Sequence, residues 1–244
     1  MMTMKRKWLI YVGFFILLLA VFYAVIFRDY DFSASKLSVI NPAVPEFHLT
    51  DQDSNAVSQR MTDDKVYVAE YFFTTCKGIC PRMNANMRRV YDAFKNEKDF
   101  LILSHTCQPE VDSLPLLRAY ANRMIYGKLV KKPQGSYEVL PLKNDIRPSK
   151  TNWIFLTGDK AQLYNLARQG YLIDNGKPDS TQRIEDQFIH TQFFALVDKY
   201  RRVRGIYDGL EEKEIQKLLG DIPGLLKEKV DHTRFMNGFS NSPN

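Results

Sequence analysis

Two cysteines spaced four residues apart are the side chains in this sequence best suited to chemistry. Cys76 and Cys80 follow an apolar, aromatic run, and Pro81 comes directly after the second cysteine. Proline is tolerated in a first helical turn, and the apolar residues that follow Pro81 recur at helical spacing. Both thiols are therefore predicted at the N-terminus of a helix, where the helix dipole favours the thiolate. Thiolates attack disulfides and bind soft metals.

A third cysteine, Cys107, makes the total odd. Disulfide scaffolds use even sets in short chains, so this pattern indicates cysteines with a chemical role. The alternative is a structural disulfide between Cys76 and Cys80, but closing so short a loop would restrict the unfolded chain little. Cys107 follows a predicted buried strand. It is an additional ligand, a resolving thiol or, the interpretation favoured here, a small buried residue.

The elements that position these residues alternate between strands and helices. Strands are predicted over residues 65–73, 100–106, 152–157, 193–199 and 203–207, and helices after Pro81, from Asp112, over 160–169 and over 215–222. A lead-in hairpin around Phe47 and Leu49 precedes them. This order predicts an α/β fold with a central mixed sheet flanked by helices. Residues 126–150 fit no element well, and we expect an inserted loop or hairpin there.

An uncharged run over residues 8–27 follows the basic residues 5–7 and ends at Arg28. Such a run, about 20 residues at about 1.5 Å rise, spans about 30 Å, the thickness of a bilayer's hydrocarbon core. The alternative is a cleaved signal peptide, whose apolar region is typically only about 7–15 residues long. The run therefore predicts an uncleaved transmembrane helix. Its basic N-terminal flank predicts that residues from 29 onward lie outside the cytoplasm.

The net charge of +6 is concentrated in the predicted anchor. Residues 1–28 hold four of the 34 basic residues and no acidic one, so 30 basic residues face 28 acidic ones in the remainder. A nearly neutral exported part argues against nucleic acid as a partner. We expect residues 1–28 to be a cytoplasmic N-terminus and anchor, 29–43 a linker, 44–228 one domain and 229–244 a disordered tail.

The motifs, taken in chain order, resemble the Sco/SenC family, whose fold is thioredoxin-like. The resembling stretches are Thr75-Cys76-x-x-x-Cys80-Pro81, Pro45-x-Phe47-x-Leu49-x-Asp51, Pro109-Glu110-x-Asp112, Trp153-x-Phe155-Leu156-Thr157-Gly158 and His190-Thr191. The resemblance extends from about Val44 to Leu226, and members of this family also carry an N-terminal anchor. It therefore implies a thioredoxin-like domain preceded by one transmembrane helix.

The family implies a membrane-anchored copper protein that assists assembly of the dinuclear copper centre of cytochrome c oxidase. Copper, as Cu(I) or Cu(II), would be bound by Cys76, Cys80 and His190, and the two cysteines would also form a redox-active disulfide pair. The implied partners are the copper-bearing oxidase subunit and a copper donor or thiol reductase outside the cytoplasm. The implied location is the inner membrane, single-pass, with the domain on the periplasmic side.

Three positions depart from the family's pattern. Lys77 stands where the family often has proline, Ile189 where an aspartate usually precedes the histidine, and residues 106–108 where an aspartate commonly precedes Pro109. The charge of Lys77 favours thiolate. The missing carboxylate before His190 bears on metal affinity rather than on metal identity.

Two thiolates with an imidazole suit copper, and three ligands leave a face open for transfer. On composition alone, His190 is as readily a hydrogen-bonded core histidine, and His48 and His105 are expected to be structural or surface residues. A second function class is a thiol–disulfide oxidoreductase that reduces the target's copper-ligand cysteines, which needs the thiols only. The wider CxxxC spacing leans towards chelation. A peroxidase of the same fold is a third and less favoured reading.

Overall fold

The structure, a computed structural model, describes residues 4–26, 35, 37–133, 135–142, 151–174 and 191–230. The chain separates into two compact units, Met1–Ala34 and Ser35–Asn244. In the first unit, helix α1 (Met4–Ile26) contains a segment, Lys7–Val25, that is long and apolar enough to cross a membrane. A signal sequence meets the same criteria of length and composition. These criteria therefore make α1 a candidate membrane span.

The second unit is built on a mixed seven-stranded sheet. The strands of this unit are β1 (His48–Asp51), β2 (Ala56–Ser58), β3 (Val66–Phe72), β4 (Phe100–Thr106), β5 (Lys128–Lys131), β6 (Tyr137–Leu140), β7 (Trp153–Thr157), β8 (Phe193–Val197) and β9 (Val203–Asp208). Its helices are α2 (Cys80–Phe94), α3 (Leu114–Tyr126), α4 (Lys160–Asn165) and α5 (Glu212–Lys227), with a 3-10 helix at Gln59–Thr62 and a π-helix at Leu166–Gly170. The sheet order is β2-β1-β7-β4-β3-β8-β9, and β5 and β6 pair separately as a hairpin.

The two central strands, β3 and β4, are buried along their whole length. Alternate β3 residues face opposite sides of the sheet. Val68 packs in a cluster with Met83 and Met87 of α2, whereas Tyr71 packs in a second cluster with Leu163 of α4. Helices therefore cover both faces, which explains why these strands are mostly apolar and do not alternate with polar residues.

The parallel register of β3 and β4 places their carboxyl ends at one edge of the sheet. Phe72 is paired with Thr106 at that edge. The loops that follow the two strands carry the three cysteines, Cys76 and Cys80 after β3 and Cys107 after β4. The topology alone therefore brings all three thiols to one end of the molecule.

The predicted sheet flanked by helices is confirmed, with differences at element ends. The helix predicted over 160–169 continues as the π-helix at Leu166–Gly170, and residues 126–150 contain the β5–β6 hairpin. Residues 143–150 lie outside the described part. The helix predicted from Asp112 begins at Leu114 instead, and Asp112 itself is buried before it.

Part of the stretch expected to be a linker lies along β9. The Ile40 amide donates a hydrogen bond to the Val203 carbonyl (2.8 Å), and the Leu37 carbonyl accepts one from Arg204 (2.6 Å). The buried carboxylate of Asp198 accepts bonds from Arg202 and Arg204 near the same edge. In the expected tail, residues 231–244 lie outside the described part.

Candidate metal centre

The loop between β3 and α2 fixes the two cysteines of the CxxxC motif. The Cys76 amide donates to the Phe73 carbonyl (3.2 Å), which closes a turn directly after the strand. Cys80 is the first residue of α2 and Pro81 the second. The predicted helix N-terminus therefore holds for Cys80, whereas Cys76 lies in the preceding turn.

All three cysteines line one cavity of about 480 Å³. Its wall also includes the aromatic residues 71–73 and Lys77. All three are free thiols, Cys76 half-buried and the other two buried. The thiols of Cys76 and Cys80 are neighbours in this cavity, and Cys76 contributes to the raised pKa of Cys80. Two neighbouring thiols can close a reversible disulfide or share one soft metal ion.

Burial outweighs the helix N-terminus at Cys80. Loss of hydration raises the pKa of this thiol well above its ordinary value, and the hydrogen bond with Cys76 raises it further. A backbone hydrogen bond with Phe73 acts in the opposite direction but does not offset burial. The expected thiolate is therefore wrong for Cys80 in the metal-free chain, because desolvation disfavours its charged form. Metal binding at Cys80 must release a proton.

Cys107 is held at the end of β4. Its amide and its sulfur both donate to the Phe72 carbonyl, at 2.9 and 3.1 Å, and its side chain is 2% exposed. Burial and the nearby charge of Asp112 raise the pKa of Cys107 to about 12. These features agree with the favoured interpretation of a small buried residue. Cys107 nevertheless lines the same cavity as the other two thiols.

Asp112 is a buried residue at this site that sequence reasoning treated only as a motif and helix-start residue. Its carboxylate accepts hydrogen bonds from the Thr74 amide (3.1 Å), the Thr74 hydroxyl (2.5 Å) and the Thr106 hydroxyl. Thr74 lies two residues before Cys76, and Thr106 directly precedes Cys107. One carboxylate therefore connects both cysteine-bearing loops. The sequence signal was the acidic residue itself, in a turn after a buried strand.

His190 lies outside the described residues, so the predicted ligand set of Cys76, Cys80 and His190 stays a prediction. Thr191, the next residue in the chain, is described and lines the cysteine cavity. The Thr191 hydroxyl donates to the Ile173 carbonyl and accepts from the Phe193 amide (3.1 Å). Within the described ranges, no group of three or more His, Cys, Asp or Glu side chains is arranged to hold a metal.

The other predicted histidines are structural or exposed, as expected. His105 is fully buried, with its ring stacked on Tyr71 (5.0 Å between centroids) and 5.3 Å from the ring of Tyr171. Burial lowers the pKa of His105 to about 4, so this ring is neutral at physiological pH. His48 is exposed on β1.

Glu70 is a fully buried acid in the middle of β3. One carboxyl oxygen accepts from the Ser104 hydroxyl (2.5 Å), and Oε2 has no hydrogen-bond partner within the described ranges. The Ser104 hydroxyl in turn accepts from the Trp153 indole (2.8 Å). Burial raises the pKa of Glu70 to about 8. The side chain is therefore mostly a neutral acid at pH 7.

We expect Glu70→Gln to flatten the pH dependence of stability between pH 6.5 and 8. In the parent the folded chain holds a proton, with a pKa of about 8, that the unfolded chain has lost, with a pKa of 4.5. The free energy of unfolding should therefore fall as pH rises, by up to about 1.4 kcal/mol per pH unit.

Urea unfolding of the reduced, metal-free chain in detergent measures this slope. The comparison starts at pH 6.5, because below that value the lowered pKa of His105 contributes a slope of opposite sign that offsets the Glu70 slope. Gln removes the ionisable group and keeps an oxygen that can accept from Ser104. Equal slopes for the parent and Glu70→Gln would contradict the prediction.

Comparison with known proteins places this site in a family. The SCO1/SenC family model matches residues 38–128. A SCO1 protein homolog from Bacillus subtilis (strain 168) is 30% identical over 185 residues, which are 75% of this chain and 82% of that protein. The chain belongs to the SCO1/SenC family. The resemblance predicted from the motifs is confirmed.

Solved structures of Sco proteins share this fold. A SCO1/SenC family lipoprotein from Bacillus anthracis str. Ames superposes with a TM-score of 0.59 at 23% identity, covering 78% of this chain and 98% of that one. BsSco, a member of the Sco family of cytochrome c oxidase assembly proteins in which a disulfide switch was identified, gives 0.58 at 26% identity, with 79% and 98% coverage. The predicted thioredoxin-like fold is confirmed.

A copper-bound relative has the same fold at lower identity. ScoI from Bradyrhizobium japonicum with copper bound gives a TM-score of 0.52 at 16% identity, covering 75% of this chain and 99% of that one. At this identity the likeness establishes the fold alone. The residues that would hold a metal in this chain must be argued from its own cavity.

Proposed function

We propose that this Sco protein binds copper through Cys76, Cys80 and His190 and assists assembly of the dinuclear copper centre of cytochrome c oxidase. The observation that carries the proposal is that Cys76 and Cys80 line one cavity together as free thiols. Two neighbouring soft sulfur donors suit copper. A structural zinc site would take four closed ligands instead.

The segment that follows His190 supports its inclusion among the ligands. Thr191 is 5% exposed, lines the cysteine cavity and is fixed by its bonds to Ile173 and Phe193. His190 directly precedes Thr191 in the sequence, so it is the neighbour in the chain of a residue that lines the cavity. A third donor of the imidazole type would stabilise Cu(II) as well as Cu(I).

A thiol–disulfide oxidoreductase is the second candidate. The same two free thiols in one cavity support it, because a dithiol pair that closes reversibly can reduce a target disulfide. The disulfide switch described for BsSco favours a redox role in that relative. This role needs the two thiols but no imidazole, and that difference separates the two candidates.

The proposed location is the inner membrane, with α1 as a single-pass anchor and the domain on the periplasmic side. The apolar length of α1 and the basic residues 5–7 at its start support this orientation. We keep residues 1–28 as N-terminus and anchor, 29–43 as linker, 44–228 as Sco domain and 229–244 as tail. A reporter active only in the cytoplasm, fused after Asn244, should be silent. A strong signal would reverse the orientation.

The proposed partners are the copper-bearing oxidase subunit and a copper donor or thiol reductase on the same side of the membrane. A strain that lacks this gene should lose cytochrome c oxidase activity and regain it with the parent chain. Cys76→Ser, which removes an exchange-competent and metal-binding sulfur, should fail to restore activity. Full rescue by Cys76→Ser, at equal protein abundance, would exclude both candidate functions.

A further inference from the structure

The three cysteines that line the cavity could form different disulfides. Cys76, Cys80 and Cys107 all line it, and three thiols allow three pairings. Only the Cys76–Cys80 pairing is the reversible CxxxC disulfide proposed above, whose reduction returns both sulfurs for copper. A pairing that includes Cys107 would consume one of the two sulfurs of that motif. The fold must therefore hold Cys107 apart from the other two during thiol–disulfide exchange.

Asp112 is in the right place to set this separation. Both its oxygens receive hydrogen bonds from Thr74, at 3.1 and 3.2 Å from the amide and 2.5 Å from the hydroxyl. Oδ2 also accepts from the Thr106 hydroxyl, and the same Thr106 oxygen accepts from the Gln108 amide (3.0 Å). The bonds flank Cys107 on both sides and fasten the turn that carries Cys76.

The hydrogen bonds from Thr74 and Thr106 to Asp112 should hold the two loops firmly. Asp112 is 1% exposed, so its bonds to Thr74 and Thr106 do not compete with bulk water. Hydrogen bonds to a charged acceptor are stronger than neutral ones, and the low dielectric of the interior strengthens them further. A second restraint acts on Cys107 itself, whose sulfur and amide both donate to the Phe72 carbonyl.

We propose that Asp112 is a positioning residue that selects the Cys76–Cys80 pair and keeps Cys107 out of disulfide exchange. This inference rests on the proposed function, because it assumes that the CxxxC thiols are the reactive pair. Asp112 contacts neither a substrate nor the reacting sulfurs in this role. It acts by fixing Thr74 and Thr106, and through them the two loops.

Reaction with oxidised glutathione shows which two protein thiols form a disulfide. Cys76 is the least buried of the three, so its thiolate attacks one glutathione sulfur and releases the first reduced glutathione. A second protein thiol then attacks the Cys76 sulfur in the mixed disulfide and releases the second reduced glutathione molecule. In sum, two protein thiols lose two electrons and two protons, and one oxidised glutathione becomes two reduced molecules. The second thiol decides which disulfide forms.

Two variants weaken the Asp112 contacts in different ways. Asp112→Asn keeps the size of the side chain but leaves one acceptor oxygen for the Thr74 and Thr106 donors, because its NH2 group cannot accept. Thr106→Val removes the hydroxyl on the Cys107 side, and with it the bond to Asp112 and the bond from the Gln108 amide. Asp198→Asn is the matched control, since Asp198 is equally buried at 1% and bonds arginines near β9.

The experiment uses the full chain in detergent, reduced and free of metal, exposed to excess oxidised glutathione and then acid-quenched. Alkylation and mass spectrometry of the peptides map the disulfides, and circular dichroism confirms folding. The parent should contain the Cys76–Cys80 disulfide with Cys107 alkylated. In Asp112→Asn and Thr106→Val, the fraction of disulfides that contain Cys107 should rise about tenfold or more, as expected from losing a hydrogen bond to a charged group.

Asp198→Asn should keep the parent pattern. An unchanged pattern in folded Asp112→Asn overturns the inference, and if that variant does not fold, an unchanged pattern in Thr106→Val overturns it. A shift in Asp198→Asn equal to that in Asp112→Asn also overturns it, because general loosening would then explain the result. If the parent forms no Cys76–Cys80 disulfide, the proposed reactive pair fails instead, and the two failures are distinguishable.

Discussion

Cys80→Ala should lower the affinity of the reduced chain for copper by at least about 100-fold. Removing outer-shell partners of a metal ligand typically costs about 10–100-fold, and loss of a ligating sulfur should exceed that. Cys80 is the first residue of α2 and lines the cavity with Cys76, so its loss leaves the CxxxC motif with one sulfur. Copper retained after gel filtration measures the effect.

Cys107→Ala is the matched control for this prediction. The two cysteines are similarly buried, at 4% and 2% exposure, and both line the cavity, so the two substitutions remove the same atom from similar surroundings. Cys107→Ala should keep the parent's copper content and optical spectrum. Loss of copper in Cys107→Ala would make Cys107 a ligand. Normal copper in Cys80→Ala would remove Cys80 from the site.

His190→Ala should lower the affinity for Cu(II) by at least about tenfold. The variant should still form and reduce the Cys76–Cys80 disulfide. Cu(II) prefers nitrogen as well as sulfur donors, whereas Cu(I) can persist on two thiolates. Disulfide exchange needs an attacking and a resolving thiol, and both lie within the CxxxC motif. Competition titrations with a chelator, in each copper oxidation state, measure the two affinities.

His48→Ala is the control for the histidine prediction, because His48 is exposed on β1. In cells, His190→Ala should fail to support the oxidase if copper delivery is the role, and succeed if thiol reduction alone is required. If the His190→Ala chain binds Cu(II) as tightly as the parent, His190 is not a copper ligand. The protein would then fit the oxidoreductase candidate better.

The sequence predicted those features that local pattern determines. Residues 100–106 form one buried strand whose two faces are both covered, and the same reasoning located β3 and β7 to within one residue at each end. Pro81 marked the start of α2 correctly to within one residue. The parallel register of β3 and β4 then brought Cys107 towards the CxxxC motif, as expected for carboxyl ends of neighbouring strands.

Features that depend on burial could not be predicted in the same way. The helix N-terminus suggested a thiolate at Cys80, but the depth of the cavity reverses that effect by desolvation. The position of Asp112 suggested a helix start, whereas its carboxylate turns inward to Thr74 and Thr106. Glu70 was visible as a lone charge in a buried strand, yet only packing shows that it lies beside Ser104 as a neutral acid.

The proton on the Cys80 thiol must leave before this sulfur can bind copper. Because burial raises the pKa of Cys80, the metal-free thiol holds its proton at neutral pH. Copper must displace that proton, so uptake should release protons and strengthen as pH rises. Oxidation to the Cys76–Cys80 disulfide removes both sulfurs as thiolate donors. Metal binding and disulfide formation are therefore mutually exclusive uses of one pair.

That exclusivity gives the most direct test of the central claim, which is that Cys76 and Cys80 together hold copper. The measurement is the copper bound per chain by the reduced parent and by the parent oxidised to the Cys76–Cys80 disulfide, after removal of free metal. The account predicts about one copper per reduced chain and essentially none in the oxidised chain. Equal copper in the two forms would contradict it, because the sulfurs of a disulfide cannot supply the two thiolates.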